Sequence, residues 1–378
     1  MPANGHAILS ASASHRWLNC PPSVRLCENY EDLPSDFAEE GSDAHQLCEN
    51  KLNKALGVID ELPEFESKWF NQEMEDASNG YTSFIMEIVN GLKEEGKDPL
   101  VLVEQRLDFS RWAEDSFGTG DCVITADGLV HVIDFKYGRG VLVEAEKNPQ
   151  MLMYSLGALE LFDCLYDIKT IRMTIYQPRL GNVSTYETTK EDLLKWANDV
   201  LVPMAKLAFK GEGEYSCGEW CKFCKAKANC RERAKHNLAL AKYDFKEPPL
   251  LSLEEIASVL LEIDTLVLWA DDVKRFAFKE AMNGNKIPGF KLVEGRSTRK
   301  FSDDEKVASI AEEAGFNPYD KKLVGITEMQ KRMGKSKFVE LLDKYIIKPA
   351  GKPTLVVESD KRPELNTAKQ DFMTQEDN

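Results

Sequence analysis

Asp121, Asp134 and Lys136 are the residues whose types and spacing bear most directly on chemistry. Metal-dependent cleavage of a phosphodiester needs carboxylates close enough to share a divalent ion. It also needs a cation that positions the attacking water or balances developing charge. Asp134 and Lys136 stand two apart in Asp-Phe-Lys, so on a strand they project from one face. Asp121 follows Gly118-Thr119-Gly120 at the head of the preceding β-rich run. Each feature alone has an ordinary explanation: an Asp after glycine forms turns, and Asp-x-Lys on a strand makes an exposed cross-strand pair. Two more features point to the same place. Gln150 and Tyr154 lie one turn apart on one face of the helix that follows the strands. His45 is the lone histidine of an N-terminal helical segment, a position where a structural role is the commoner one.

The elements that must hold these residues can be read from hydrophobic period. A short helix is expected within residues 12–26, stopped by Pro21-Pro22. Longer helices are expected over 36–56, with Phe37, Ala44, Leu47, Leu52 and Leu56 near helical spacing, and over 68–94. From Leu100 the period changes to VLVEQRL, DCVITA and LVHVIDFKYG, three β-rich runs separated by turn signals at Gly118-Thr119-Gly120 and Asp127-Gly128. Pairing the second run with the third brings Asp121 near Asp134. A helix with Pro149 in its first turn, a strand in IKTIRMTIYQP and a helix over 190–209 complete the region. This order describes a mixed α/β core, not a doubly wound parallel sheet.

The C-terminal part reads differently. Glu247-Pro248-Pro249 looks like a linker, and residues 253–281 form one uninterrupted helical pattern opened by a capping box, Ser252 with Glu255. The segment IPGFKLVEGRSTRKF reads as a basic hairpin or edge strand, two shorter helices follow, and the last 15 or so residues have the composition of a mobile tail. The expected division is a domain over 1–240, a mainly helical accessory region over 250–363 and a tail over 364–378.

Composition bounds the function classes. The 378 residues are 43% hydrophobic and 30% charged, which excludes a fibrous or largely disordered chain. No apolar run reaches the length of a membrane span, and the N-terminus lacks the pattern of a secretory signal, so a cytoplasmic protein is expected. The net charge of −16 argues against nucleic acid at first sight. The charge is uneven, however. Residues 286–352 carry a net +5, with Arg296, Arg299 and Lys300 close together, and residues 217–235 carry a net +4. The first of these segments is a candidate guide for single-stranded DNA or a docking surface for a protein, against the plainer reading of a solvated charged face. Four of the nine cysteines, Cys217, Cys221, Cys224 and Cys230, fall within 14 residues. In a reducing compartment such a cluster holds a metal more readily than disulfides.

The order His45, Gly120-Asp121, Asp134-Phe135-Lys136 and Gln150-x-x-x-Tyr154 resembles the RecB-type branch of the PD-(D/E)XK nuclease superfamily. Glu104, on the strand before Asp121, resembles an additional acidic position of that branch. The set Cys20, Cys221, Cys224 and Cys230, in a Trp-x-x-Cys-Pro and C-x2-C-x5-C context, is similar to the iron-sulfur staple of RecB-like exonucleases. The resemblance covers about residues 5–235 and extends to phage and prophage proteins of this nuclease group.

The resemblance implies a restriction-endonuclease-like mixed sheet flanked by helices, with a mainly helical C-terminal appendage. It implies Mg2+ or Mn2+ held by His45, Asp121, Asp134 and the carbonyl of Phe135. Lys136 would act on the attacking water, Gln150 and Tyr154 would brace the site against DNA, and a [4Fe-4S] cluster would sit on the four cysteines. The implied activity is an exonuclease acting on single-stranded or end-bearing DNA in phage recombination or repair, leaving 5′-phosphates. The residues alone leave three alternatives open. One is a catalytically silent DNA-binding or assembly protein, which would lack a ligand or the lysine. Another is an interaction module stapled by zinc on Cys217, Cys221, Cys224 and Cys230. The third, a sequence-specific endonuclease, lacks a recognisable base-reading module. Cys27, Cys48, Cys122 and Cys164 are expected to be buried small hydrophobes. A protein partner or a homo-oligomer through the C-terminal region is left open.

Overall fold

Alternating apolar residues on two adjacent strands, LVHVIDF and TIRMTIYQ, give both faces of one sheet something to bury, and the chain supplies a layer of helices for each. The computed structural model describes residues 7–28, 30, 36–239, 252–293, 304–313, 319 and 323–347. A five-stranded sheet has the order β1 (Leu100–Asp108), β2 (Phe117–Ala126), β3 (Leu129–Phe135), β4 (Thr170–Gln177) and β5 (Asn182–Thr189). The pairs β1–β2, β2–β3 and β4–β5 are antiparallel, whereas β3–β4 is parallel. A parallel pair needs a crossover, and α5 (Pro149–Tyr166) provides it. The architecture is the mixed α/β sheet flanked by helices that the sequence implies.

Each face has its own core. On one side Val123, Val130, Val132 and Ile171 pack with Met151 and Leu156 of α5 and with Trp17 of α1 (Ser14–Asn19). On the other, Cys122, Ile124, Ile133 and Phe135 pack with Leu47 and Leu52 of α3 (Asp36–Ala55) and with Tyr81 and Ile85 of α4 (Gln72–Glu94). The alternation places Asp134 on the α5 side of β3 and Phe135 on the α3 side.

The N-terminal segment is tied down at several points. The Trp17 indole N–H donates to the Ser10 carbonyl at 3.0 Å, and Ser116 Oγ donates to the Leu9 carbonyl at 2.5 Å. After Pro21-Pro22 the chain re-enters a helix, α2 (Ser23–Cys27), where the sequence suggested a stop. Arg25 Nε donates to the Phe209 carbonyl at 2.6 Å, which fixes α2 against the end of α7 (Val202–Lys210). The helical stretch leading there runs through α6 (Lys190–Trp196) and one π-helical segment, Ala197–Leu201.

Two local readings are corrected. Gly118-Thr119-Gly120 is not a turn but part of β2, with Gly118 opposite Leu107 and Gly120 opposite Gln105. Glycine is needed there for space: a Cβ on Gly118 would lie 2.7 Å from Tyr154 Cε1, and one on Gly120 2.9 Å from Leu107 Cδ1. Gly118→Ala is therefore expected to push Tyr154 out of place and to lower stability by about 1–3 kcal/mol, as overpacking does. Urea denaturation of the two proteins checks this, and an unchanged midpoint would contradict it. The second correction is β5, which period analysis passed over. Its alternation of half-buried and exposed residues along NVSTYETT is regular, but few of them are strongly apolar.

The chain divides into two compact units, Met1–Glu280 and Ala281–Asn378. The first includes α8 (Arg231–Leu238) and most of α9 (Leu253–Met282), whose capping box forms as expected. Ser252 N donates to Glu255 Oε2 at 3.1 Å, and Glu255 N donates to Ser252 Oγ at 3.2 Å. In the second unit, α10 (Asp304–Glu313), α11 (Ile326–Met333) and α12 (Lys335–Leu342) are helical. The described part of the expected hairpin, residues 287–293, is turn and irregular chain and not strand. The Glu247-Pro248-Pro249 linker, the Arg296, Arg299 and Lys300 cluster and the tail lie outside the described residues. Among the described residues no helix is long and apolar enough to cross a membrane.

Candidate functional site

The register of β2 against β3 pairs Cys122 with Ile133, which sets Asp121 opposite Asp134. Asp121 Oδ2 accepts the Phe135 N–H at 2.7 Å, and its Oδ1 lies 3.2 Å from His45 Nδ1 on α3. His45 also stands edge-on to the Phe135 ring, with centroids 5.3 Å apart. From the other side, Gln150 Nε2 donates to Asp134 Oδ1 at 3.1 Å and to Tyr154 Oη at 3.3 Å. Lys136 Nζ donates to Gln150 Oε1 at 3.2 Å and lies 3.0 Å from Asp134 Oδ2. The structure thus brings His45, Asp121, Asp134, Phe135, Lys136, Gln150 and Tyr154 into one constellation. Its residues come from β2, β3, the chain just past β3, and two helices on opposite sides of the sheet.

Glu104 joins them by an unusual route. It faces Asp121 across β1–β2, between the pairs Val103–Cys122 and Gln105–Gly120, yet its own φ is +49°. Left-handed backbone in a non-glycine residue inside a strand is strained by about 1–3 kcal/mol, and such strain concentrates at functional sites. Here it turns the carboxylate toward the others: ligand atoms of His45, Glu104 and Asp121 lie within 4.8 Å of one another. Among the described residues this is the one group of three or more His, Cys, Asp or Glu side chains so placed. His45 and Glu104 open onto a groove along α3 lined by Gly41, Ser42, Asp43 and Glu49.

The electrostatics are those of crowded, partly buried carboxylates. Burial, reinforced by the neighbouring Asp121, pushes the Glu104 carboxyl up to about 7. Burial also raises Asp134, with Lys136 only partly offsetting it. Burial disfavours the charged forms of His45 and Lys136, but the carboxylates beside them outweigh that and raise both. Asp134 Oδ2 is buried, and its close partner is the Lys136 ammonium at 3.0 Å. A buried carboxylate beside a His–Glu–Asp group fits a divalent ion with oxygen and imidazole ligands. Such an ion needs Glu104 deprotonated and His45 neutral. Its affinity is therefore expected to fall by about tenfold per pH unit for each proton that must be displaced, beginning as pH drops below about 7. Mn2+ titrations followed by calorimetry between pH 6 and 8 check this, and a pH-independent affinity would contradict it.

The cysteines gather at a second place in the same unit. Cys20, Cys221, Cys224 and Cys230 all line one pocket, together with Arg16 and Arg233. The pocket forms because α1 ends at Cys20 beside the 3-10 turn Glu219–Phe223, where the His15 and Trp220 rings meet edge to face at 6.1 Å. Two further cysteines stand close by. Cys217 Sγ lies 4.0 Å from Cys221 Sγ, and Cys27 Sγ lies 3.7 Å from Cys224 Sγ. Cys27 is buried as expected but is no mere apolar filler, since Arg16 also donates to its sulfur at 3.4 Å. Cys48 and Cys122 are buried, whereas Cys164 is exposed on α5, contrary to the sequence reading. Arg16 and Arg233 drew no attention in the sequence. The signal available was that each falls within a few residues of a pocket cysteine.

The solved structure of SSO0001 is similar at 10% identity, over 58% of this chain and 96% of that one, with a TM-score of 0.21 that supports no argument. A family model matches residues 6–363, nearly the whole chain and both of its units. The chain belongs to DUF2800, a family described as proteins of unknown function.

Proposed function

We propose that this protein is a metal-dependent deoxyribonuclease of the RecB-like kind, with a cysteine-held iron-sulfur cluster as a structural staple. The observation that carries the reading is the convergence of His45, Glu104 and Asp121 with the buried Asp134, beside the half-buried Lys136. His45, Glu104, Asp121, Asp134 and the Phe135 carbonyl are the groups that would hold Mg2+ or Mn2+. The ion, when bound, supplies Lewis-acid polarisation of the phosphate and a more acidic water.

The chain's own groups do the rest. Lys136, placed by Asp134 and Gln150, orients the attacking water and balances charge that develops at the phosphate. Gln150 holds Asp134 and Tyr154 in one hydrogen-bonded row. Asp121 fixes the end of β3 through the Phe135 N–H, so that the two aspartates keep their separation. The substrate is DNA, single-stranded or with an open end, and the products carry 5′-phosphates.

The pocket supports the Cys20, Cys221, Cys224, Cys230 set for the cluster, because these four share one cavity while Cys217 pairs with Cys221. Among the described residues no four cysteine sulfurs lie within 4.8 Å of one another, the close grouping that a single zinc ion would want. Cluster ligation by thiolates spaced around a larger body suits the pocket better.

Incubation of the full chain with single-stranded, linear and closed circular DNA tests the reading. Mn2+-dependent degradation of the first two, stopped by EDTA, is expected. DNA left intact in all three forms would overturn the nuclease and favour a protein that only binds.

A further inference from the structure

The cysteine pocket is lined by positive charge, and that charge is anchored from outside the pocket. Arg233 of α8 is 4% exposed, and its NH1 donates to Asp272 Oδ2 of α9 at 2.6 Å and to the Lys227 carbonyl at 3.1 Å. Asp272 is itself 6% exposed. Its other oxygen accepts from Arg275 at 2.7 Å and lies 3.3 Å from Lys227 Nζ. Lys227 and Arg233 both line the cysteine pocket, as does Arg16 from the N-terminal side. A second contact, His236 Nε2 to Glu262 Oε2 at 3.2 Å, joins the same two helices.

One atom in this arrangement is unaccounted for. Arg233 Nε is buried and finds no hydrogen-bond partner among the described residues. A guanidinium N–H buried without a partner is costly, and its natural partner is an anion. The pocket beside it is lined by four thiols that would be thiolates once they ligate. Hydrogen bonds to the sulfurs are among the features that set the stability and potential of an iron-sulfur cluster.

We propose that Arg233 is a positioning residue for the occupant of the cysteine pocket. Its Nε–H donates to a sulfur of the bound iron-sulfur cluster, and Asp272 of α9 holds the guanidinium in place. This rests on the cluster reading given above. Its consequence is reciprocal: loading the pocket and docking α9 stabilise one another, because both use the same guanidinium. The long helix is then part of how the staple is kept and not an independent appendage.

Asp272→Asn and Arg233→Lys proteins, prepared without oxygen alongside wild type, test this by iron and sulfide content, the rate of bleaching in air, and limited proteolysis within 253–282. Asp272→Asn keeps all four thiols, so it should assemble the cluster. It should then bleach about tenfold faster, as loss of outer-sphere support to a metal centre usually produces, and α9 should be cut more readily. Arg233→Lys retains a charge for Asp272 but has no Nε–H, so it should bleach faster with α9 still protected. Stripping the cluster from wild type should expose α9 to protease. Wild-type bleaching in either variant, or α9 protection unchanged by stripping, overturns the inference while the cluster reading stands. Wild-type protein without iron and sulfide overturns both.

Discussion

Lys136→Ala is expected to lower the rate of DNA cleavage by about 100- to 1000-fold, the scale seen when one preorganised group facing developing charge is removed. The reason is local. Lys136 Nζ lies between Asp134 Oδ2 at 3.0 Å and Gln150 Oε1 at 3.2 Å, so its charge is delivered to one point by two fixed partners. Its side chain is 30% exposed, and the sheet behind it is built on Ile133, Phe135 and Val132, which the substitution leaves alone. Thermal unfolding should therefore change little, and DNA binding in Ca2+ should be retained. Cleavage at the wild-type rate by a folded Lys136→Ala protein would remove the lysine from the mechanism.

Cys224→Ala should act on stability and colour instead of chemistry. A cluster on Cys20, Cys221, Cys224 and Cys230 would close a loop that contains all five strands. Loop closure of that length restricts the unfolded chain by on the order of 5 kcal/mol in the entropy treatment used for cross-links. Losing it should lower the melting temperature by roughly 10 °C or more for a chain of this size. Cys224 is buried and also contacts Cys27 Sγ at 3.7 Å, so its loss leaves Cys27 without that neighbour as well. Cys217→Ala is the matched control, because Cys217 pairs with Cys221. A Cys224→Ala protein that is brown and melts with wild type would show that the pocket holds no cluster on this residue.

Much of this site was legible in the sequence because its parts are local. Asp134 and Lys136 sit two apart, Gln150 and Tyr154 four apart, and a strand or a helix turns those spacings directly into shared faces. The antiparallel pairing that sets Asp121 against Asp134 could be inferred from the Asp127-Gly128 turn between them. What escaped depends on packing. Gly118 and Gly120 look like turn formers, and only the proximity of Tyr154 and Leu107 explains them as strand residues. Glu104 reaches the site through a left-handed φ that no spacing rule anticipates. β5 was missed because its pairing to β4 is supplied by backbone hydrogen bonds along a polar sequence, with Thr185 and Ser184 where a stronger signal would need Val or Ile. The Arg233–Asp272 pair joins residues far apart in the chain, and neither belongs to a recognisable pattern.

The most direct measurement is cleavage of DNA labelled at its 5′ or its 3′ end by anaerobically purified wild-type protein, with Mn2+, Mg2+ or EDTA, after its visible absorbance has been recorded. Brown protein that degrades DNA with Mn2+ or Mg2+, leaves 5′-phosphates and stops with EDTA is the expected result. Brown or colourless protein that binds DNA yet leaves it intact with either metal would contradict the assignment of His45, Glu104, Asp121, Asp134 and Lys136 as a nuclease site.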